Sequence, residues 1–222
     1  MEIFLQNFFN LETLRQVYPL LLQGLAVSAK LVVASVSLGL SLGLVIAVLY
    51  SLHHRWLNLL LIVYVDLLRS FPPLVLLILI YYGLPFLGLR LPEFSAAVLG
   101  LTLNSSSYYG EIFRAGLESI PVGQMEAARS TGLTYLQAMR YVILPQAIRN
   151  VIPPLTTNTL ELIKATAIAS AVALPELLRT ARIAQGLVYN PTPLVAAALI
   201  YLVFLWPLAR LVSRLEREML AS

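Results

Sequence analysis

Asp66 and Arg69 lie three residues apart in an apolar run, Asn104, Ser107, Tyr108 and Glu111 recur in a second run, and Asn158, Glu161, Lys164 and Thr166 in a third. At 3.6 residues per turn the second set falls on one helix face, which must point inward if that helix crosses a membrane. Amides, hydroxyls and opposite charges of this kind can line a path for a polar solute. An ionisable side chain at membrane depth costs about 2.5 to 3.5 kcal/mol on insertion scales, so each is expected to be paired, functional or both. The spacings Asp66/Arg69 and Glu161/Lys164 each suit an intrahelical ion pair, so pairing and solute contact stand side by side as roles.

Other chemistries find little support. His53 and His54 are adjacent in a loop with no acid between them and no third ligand nearby, which makes a polar loop the better reading than a metal site. No H-E-x-x-H helix and no paired Ser/Lys or Asp/Asp set suggests an intramembrane enzyme. The chain has no cysteine, which excludes disulfides, thiolate metal sites and a cysteine nucleophile. It also lacks the G-x-x-x-x-G-K-[ST] loop that cradles nucleotide phosphates.

These residues need membrane-spanning elements to hold them. With 59% hydrophobic and 12% charged residues over 222 positions, the composition is that of an all-α polytopic membrane protein. The net charge of +4 is spread between apolar runs rather than gathered on one face, which argues against nucleic acid. Five spans are expected. The first runs from Pro19 to Tyr50, holds Lys30, and carries small residues (Ala34, Ser35, Ser37, Gly39, Ser41, Gly43) that let helices approach closely. The second, Leu57 to Tyr82, should break at Ser70-Phe71-Pro72-Pro73, and a break at membrane depth lines a cavity. A turn-rich loop from Gly83 to Glu93 leads to the third, Phe94 to Phe113; the fourth is Ile148 to Val172 and the fifth Leu194 to Leu211. Residues 1–18, with Phe4, Phe8 and Phe9, have no signal-peptide pattern and are expected to lie extracytoplasmically at the interface.

Between the third and fourth spans is a charged, helix-forming stretch at about 121–145. Gln124 to Thr131 suits a short helix, Gly132 a left-handed cap, and a second helical piece runs on to Pro145. Glu126-Ala127-Ala128, three residues, Gly132, then Val142-Ile143-Leu144-Pro145 resembles the cytoplasmic EAA loop of bacterial ABC importer permeases, with Val142 where isoleucine is usual. The similarity extends to Tyr108–Gln124, to Leu68-Arg69-Ser70-Phe71-Pro72, and to Leu162–Ser170, where polar amino-acid permeases have an aspartate at the position of Ala165.

The resemblance implies a type I importer permease with an ABC transmembrane domain over 19–222. Glu126, Ala127, Ala128, Gly132, Leu144 and Pro145 would couple to an ATPase, and Arg69, Asn104, Ser107, Asn158, Glu161, Lys164 and Thr166 would line the solute path. It implies no cofactor in this chain, ATP and magnesium on two copies of a separate ATPase subunit, a second permease subunit (identical or not), an extracytoplasmic solute-binding protein, an amino-acid solute, and a place in the bacterial inner membrane. A secondary transporter or channel that works without an ATPase is the alternative. For the orientation, alternate loops divide the arginines into Arg55, Arg114, Arg129, Arg140, Arg149, Arg210, Arg214 and Arg217 against Arg15, Arg90, Arg179 and Arg182. The richer side is cytoplasmic by the positive-inside rule, so the amino terminus is expected outside and the carboxyl terminus inside.

Overall fold

A computed structural model of the chain describes residues 8–220, among which every regular element is a helix. Helix α1 spans Leu11–Tyr50 and starts at Asn10, whose side chain accepts a hydrogen bond from the Thr13 amide at 3.0 Å. The first helix therefore begins eight residues before the expected Pro19, which sits inside it. Pro19 is exposed, as is Arg15, whose carbonyl loses its helical donor there, so the defect faces outward. From Leu11 onward the expected interfacial segment is thus the opening turns of α1; Phe4 lies outside the described residues, while Phe8 and Phe9 are exposed.

The break expected at the paired prolines is present. Helix α2 (Arg55–Ser70) stops at Phe71, and α3 (Pro73–Ile78) starts anew, running on through a π turn (Leu79–Gly83) and a 3-10 turn (Leu84–Leu87). Phe71 (φ −81°, ψ 128°) and Pro72 (φ −57°, ψ 131°) are extended, the conformation that a following proline imposes, and the two helical pieces meet at 101°. The loop that follows turns at Gly88, with φ +82°.

Helix α4 (Glu93–Glu118) is the central element and lies against α1. Half of the small-residue stripe makes the contact: Ser35, Gly39 and Gly43 are buried, whereas Ser37 and Ser41 face outward. A Cβ on Gly43 would sit 2.6 Å from the Tyr109 Cβ and 2.9 Å from the Gly110 nitrogen, so the two backbones touch there. Polar as it is, α4 is buried with its buried serines satisfied by its own backbone. The hydroxyls of Ser105, Ser106 and Ser107 donate to the carbonyls of Thr102, Leu103 and Asn104 at 3.3, 2.9 and 2.6 Å. The fully buried Tyr109 shares a 2.9 Å hydroxyl contact with Thr159 of α7 (Leu144–Ala165), tying these two helices together.

Two short helices, α5 (Val122–Ser130) and α6 (Tyr135–Ala138), join α4 to α7. A 3-10 segment (Thr166–Val172) then leads to α8 (Leu177–Val188) and α9 (Thr192–Leu220). Leu31, Leu101, Tyr109, Leu162 and Val172 form one core, and Val17, Leu21, Leu177, Ala181 and Ala197 a second, between α1, α8 and α9. The second core also holds the wholly buried Glu176, which caps α8 by accepting from the Leu178 and Arg179 amides at 2.9 and 2.7 Å and receives the Tyr201 hydroxyl at 3.1 Å.

By length and apolarity α1 and α9 can each cross a membrane alone, and α2 with α3 makes a third crossing if the bent pair is one span. Helices α4 and α7 fall outside that set, α4 because serine, asparagine and glutamate occupy its inward face and α7 because two prolines and a polar stripe lie within it.

Candidate functional site

The stretch after α4 forms an exposed two-helix loop. Helix α5 ends in a reversal at Gly132, with φ +91°, whose amide reaches the Arg129 carbonyl at 3.0 Å. This is the left-handed conformation that glycine adopts at least cost. Thr134 then opens α6 with a capping box: its hydroxyl accepts the Gln137 amide while the Gln137 side chain accepts the Thr134 amide at 2.9 Å. Glu126, Ala127, Gly132, Leu144 and Pro145 are exposed, and Ala128 is buried on the loop's inner side. Val122, Tyr135, Leu136 and Tyr141 are exposed too, an apolar surface of the sort that marks a protein interface.

The second piece of the loop does not end before Pro145, as expected, but runs into α7 without a break through a π turn, Met139–Ile143. Proline at 145 has no N–H for the carbonyl four residues back, and the wider π hydrogen bond from Leu144 to Met139 carries the chain past it. The Gln146 side chain covers the neighbouring Val142 carbonyl at 2.8 Å.

At its other end the loop is pinned by Arg114. This guanidinium donates twice to Glu111, at 2.6 and 3.0 Å, once to Glu118 at 2.6 Å, and lies 5.3 Å from the ring of Tyr50, the last residue of α1. The two carboxylates, Glu111 foremost with two hydrogen bonds, hold the guanidinium in place. Asn150 of α7 donates to Ser119 just past α4 at 2.7 Å, closing the base of the loop.

Between α3, α4 and α7 is a cleft of about 290 Å³ lined by Pro73, Asn104, Ser105, Tyr108, Asn158, Glu161, Leu162 and Ala165. Three expected path residues, Asn104, Asn158 and Glu161, come together here. Asn104 is buried and donates to the Leu68 carbonyl at 3.0 Å, holding α2 against α4 near the proline break. Glu161 is exposed and receives the Lys164 ammonium at 2.5 Å, so the pair contributes no net charge. Ser107 and Thr166 instead turn into the protein, their hydroxyls bonded to the carbonyls of Asn104 and Ile163.

Arg69 does not pair with Asp66. Its guanidinium lies 5.1 Å from the centre of the Tyr108 ring, and it lines a neighbouring cavity of about 200 Å³ between α1, α2 and α4. Tyr108 itself lines the cleft, so the contact between this ring and Arg69 links the two. Two contacts had no local signal in the sequence: the Tyr108 ring against Arg69, and Thr157 donating to Glu216 of α9 at 2.7 Å beside the cleft. Both join residues distant along the chain. In the loop at 51–54, His54 caps α2 by accepting from the Leu57 amide at 3.5 Å, and the His53 ring lies 2.6 Å from the Ser51 carbonyl.

Comparison with known proteins agrees with this geometry. A glutamine ABC transporter permease protein, GlnM (probable), of Bacillus subtilis is 42% identical over 183 residues, which is 80% of this chain and 83% of the relative. The arginine transport system permease protein ArtQ of the same organism is 36% identical over 203 residues, 90% of this chain and 93% of the relative. A crystal structure of an amino acid ABC transporter with histidines superposes with a TM-score of 0.85 at 39% identity, covering 92% of this chain and 96% of that one. The family described as binding-protein-dependent transport system inner membrane component matches residues 39–221. With its exposed two-helix loop set between the helices that wall a polar cleft, this chain belongs to that family of transport-system inner membrane components.

Proposed function

We propose that the chain is the permease subunit of an ATP-driven, binding-protein-dependent importer of amino acids in the bacterial inner membrane. It spans the bilayer five times, through α1, the broken pair α2–α3, α4, α7 and α9, with the amino terminus outside and the carboxyl terminus inside. Two ATPase subunits that bind ATP and magnesium dock on the α5–α6 loop, and a second permease chain, identical or different, completes the pathway. An extracytoplasmic binding protein delivers the solute.

One observation carries this reading: the exposed α5–α6 loop is continuous at both ends with the helices, α4 and α7, that wall the cleft. Motion forced on the loop by a partner therefore reaches Asn104 on one wall and Asn158 and Glu161 on the other. An amino acid presents a carboxylate and an ammonium, and the cleft offers two amides, the Tyr108 hydroxyl, and the internally balanced Glu161–Lys164 pair. A secondary transporter would have no use for an apolar surface exposed on this loop.

The test is reconstitution of the chain in proteoliposomes with the ATPase and binding protein encoded beside it. Loaded binding protein is expected to stimulate ATP hydrolysis and drive uptake together. Uptake by the permease alone, indifferent to ATP, would establish the secondary transporter instead.

A further inference from the structure

We infer that the cavity between α1, α2 and α4 is a second site, separate from the cleft, for the zwitterionic head of a free α-amino acid. In it the Arg69 guanidinium takes the carboxylate and the Asp66 carboxylate takes the ammonium. The inference rests on the amino-acid reading for its ligand class, but it concerns residues that the cleft does not use.

Four ionisable groups line the cavity: Asp66, Arg69, Glu111 and Arg114. Two of them answer each other, since Arg114 is held by Glu111 and by Glu118. Asp66 and Arg69 remain, opposite charges three residues apart on α2, a spacing that ordinarily lets side chains pair. No ion pair or side-chain hydrogen bond among the described residues engages either head group. Arg69 is drawn aside by the face of Tyr108. The rest of the wall is apolar (Ile46, Ala47, Leu61, Ile62, Val65), with Tyr50 at the edge.

Asp66 and Arg69 are exposed at the cavity and joined by no ion pair, and the Glu111 carboxylate that Arg114 already holds also acts on Arg69 by its charge. An acid and a base set this way over an apolar wall are open to a ligand that answers both. A simple anion would answer Arg69 and leave Asp66, and a metal cation would do the reverse. A zwitterion answers both at once, with the flat guanidinium suited to two parallel bonds to a carboxylate. The cavity, at about 200 Å³, holds one compact solute, and its aliphatic wall accepts side-chain carbon. The guanidinium that would bind the carboxylate is the one that lies against Tyr108, a residue of the cleft, so the cavity and the cleft share this contact.

The absence of cysteine makes the test direct. Ile62→Cys places a single thiol in the cavity wall and Ala165→Cys one in the cleft; each is carried by the full complex in nanodiscs and treated with a thiol reagent, with and without L-glutamine. L-glutamine is expected to slow labelling at Ile62→Cys several-fold, whereas glutaramate, which lacks the ammonium, is not. The protection should vanish in Ile62→Cys with Asp66→Asn and in Ile62→Cys with Arg69→Gln. Labelling at Ile62→Cys that stays unchanged while L-glutamine protects Ala165→Cys overturns the second site and leaves the cleft standing. Protection at Ile62→Cys without protection at Ala165→Cys upholds the second site and overturns the cleft. Protection at neither overturns both.

Discussion

The Arg114 guanidinium lies flat against the Glu111 carboxylate, Nη2 to Oε1 at 2.6 Å and Nε to Oε2 at 3.0 Å, two residues from the last buried turn of α4 and directly before the loop. The same side chain reaches Glu118 and the ring of Tyr50, so one cation joins the end of α1 to the last turn of α4. Only its planar fork can make the double contact. Arg114→Gln is expected to cost no more than about 1 kcal/mol of stability, since the pair is partly solvated, yet to lower solute-stimulated ATP hydrolysis well below that of wild type. Arg114→Lys should fall between the two. Equal stimulation in all three proteins would show that this clamp plays no part in coupling.

For the loop itself, Glu126→Lys reverses an exposed charge, and Gly132→Val forces a β-branched residue to φ +91°. A Cβ at Gly132 meets nothing within 4 Å, so the penalty there is backbone strain alone, about 1 to 2 kcal/mol. Both variants should insert normally but fail to retain the ATPase on size exclusion, or fail to stimulate it. Full stimulation in both would remove the loop from the coupling surface.

Orientation can be read by chemistry on intact cells. Leu89, after the Gly88 turn, and Ser130, at the end of α5, are both exposed. A cysteine at Leu89 is expected to react with a membrane-impermeant reagent added outside, and one at Ser130 only after permeabilisation. The reverse pattern would invert the topology.

Packing between α1 and α4 should be sensitive at a single atom. Gly43→Ala places a methyl 2.6 Å from the Tyr109 Cβ, where backbone and not a flexible side-chain tip must yield, whereas Gly83→Ala opens onto free space. Overpacking of this kind costs about 1 to 3 kcal/mol. Thermal unfolding in detergent should show a clear loss for Gly43→Ala and a change within error for Gly83→Ala.

Solute charge preference should turn on Ala165, which lines the cleft beside Asn158 and Glu161. Because Lys164 neutralises Glu161, the one acid among the described residues that line the cleft, the cleft wall itself keeps no acid for a cationic side chain. The wild-type complex is expected to favour glutamine and glutamate over arginine in competition transport, and Ala165→Asp to move the preference toward arginine. Arginine outcompeting glutamine in the wild type would place the selectivity elsewhere.

Several features were legible from residue types alone. The proline pair at 72–73 dictated the break, and Gly132 dictated a left-handed reversal, because each acts through its own backbone. The five-span arrangement was read from apolar runs; among the described residues length and apolarity single out only α1, α9 and the bent pair α2 with α3, because α4 and α7 carry polar residues, the buried serines of α4 bonding to carbonyls of their own helix. Pro19 misled for the opposite reason: on an exposed face a proline need not end a helix. The fate of Asp66 and Arg69 could not be read locally. Their spacing fits a pair equally well whether or not an aromatic ring from α4 takes the arginine, and only the fold brings Tyr108 there.

The π turn at Met139–Ile143 gives the joint between loop and α7 a mechanical property that neither a stiff rod nor a floppy hinge has. A π turn holds one residue more than an α-helix needs for the same hydrogen-bonded path. Passing that residue up or down the helix turns the segment it crosses by about 100°, with a shift of about 1.5 Å, while hydrogen bonding stays continuous. The connection has the form of a screw thread: a partner that drove the turn along α7 past Glu161 would rotate the face that carries Asn158 and Glu161 without breaking the helix.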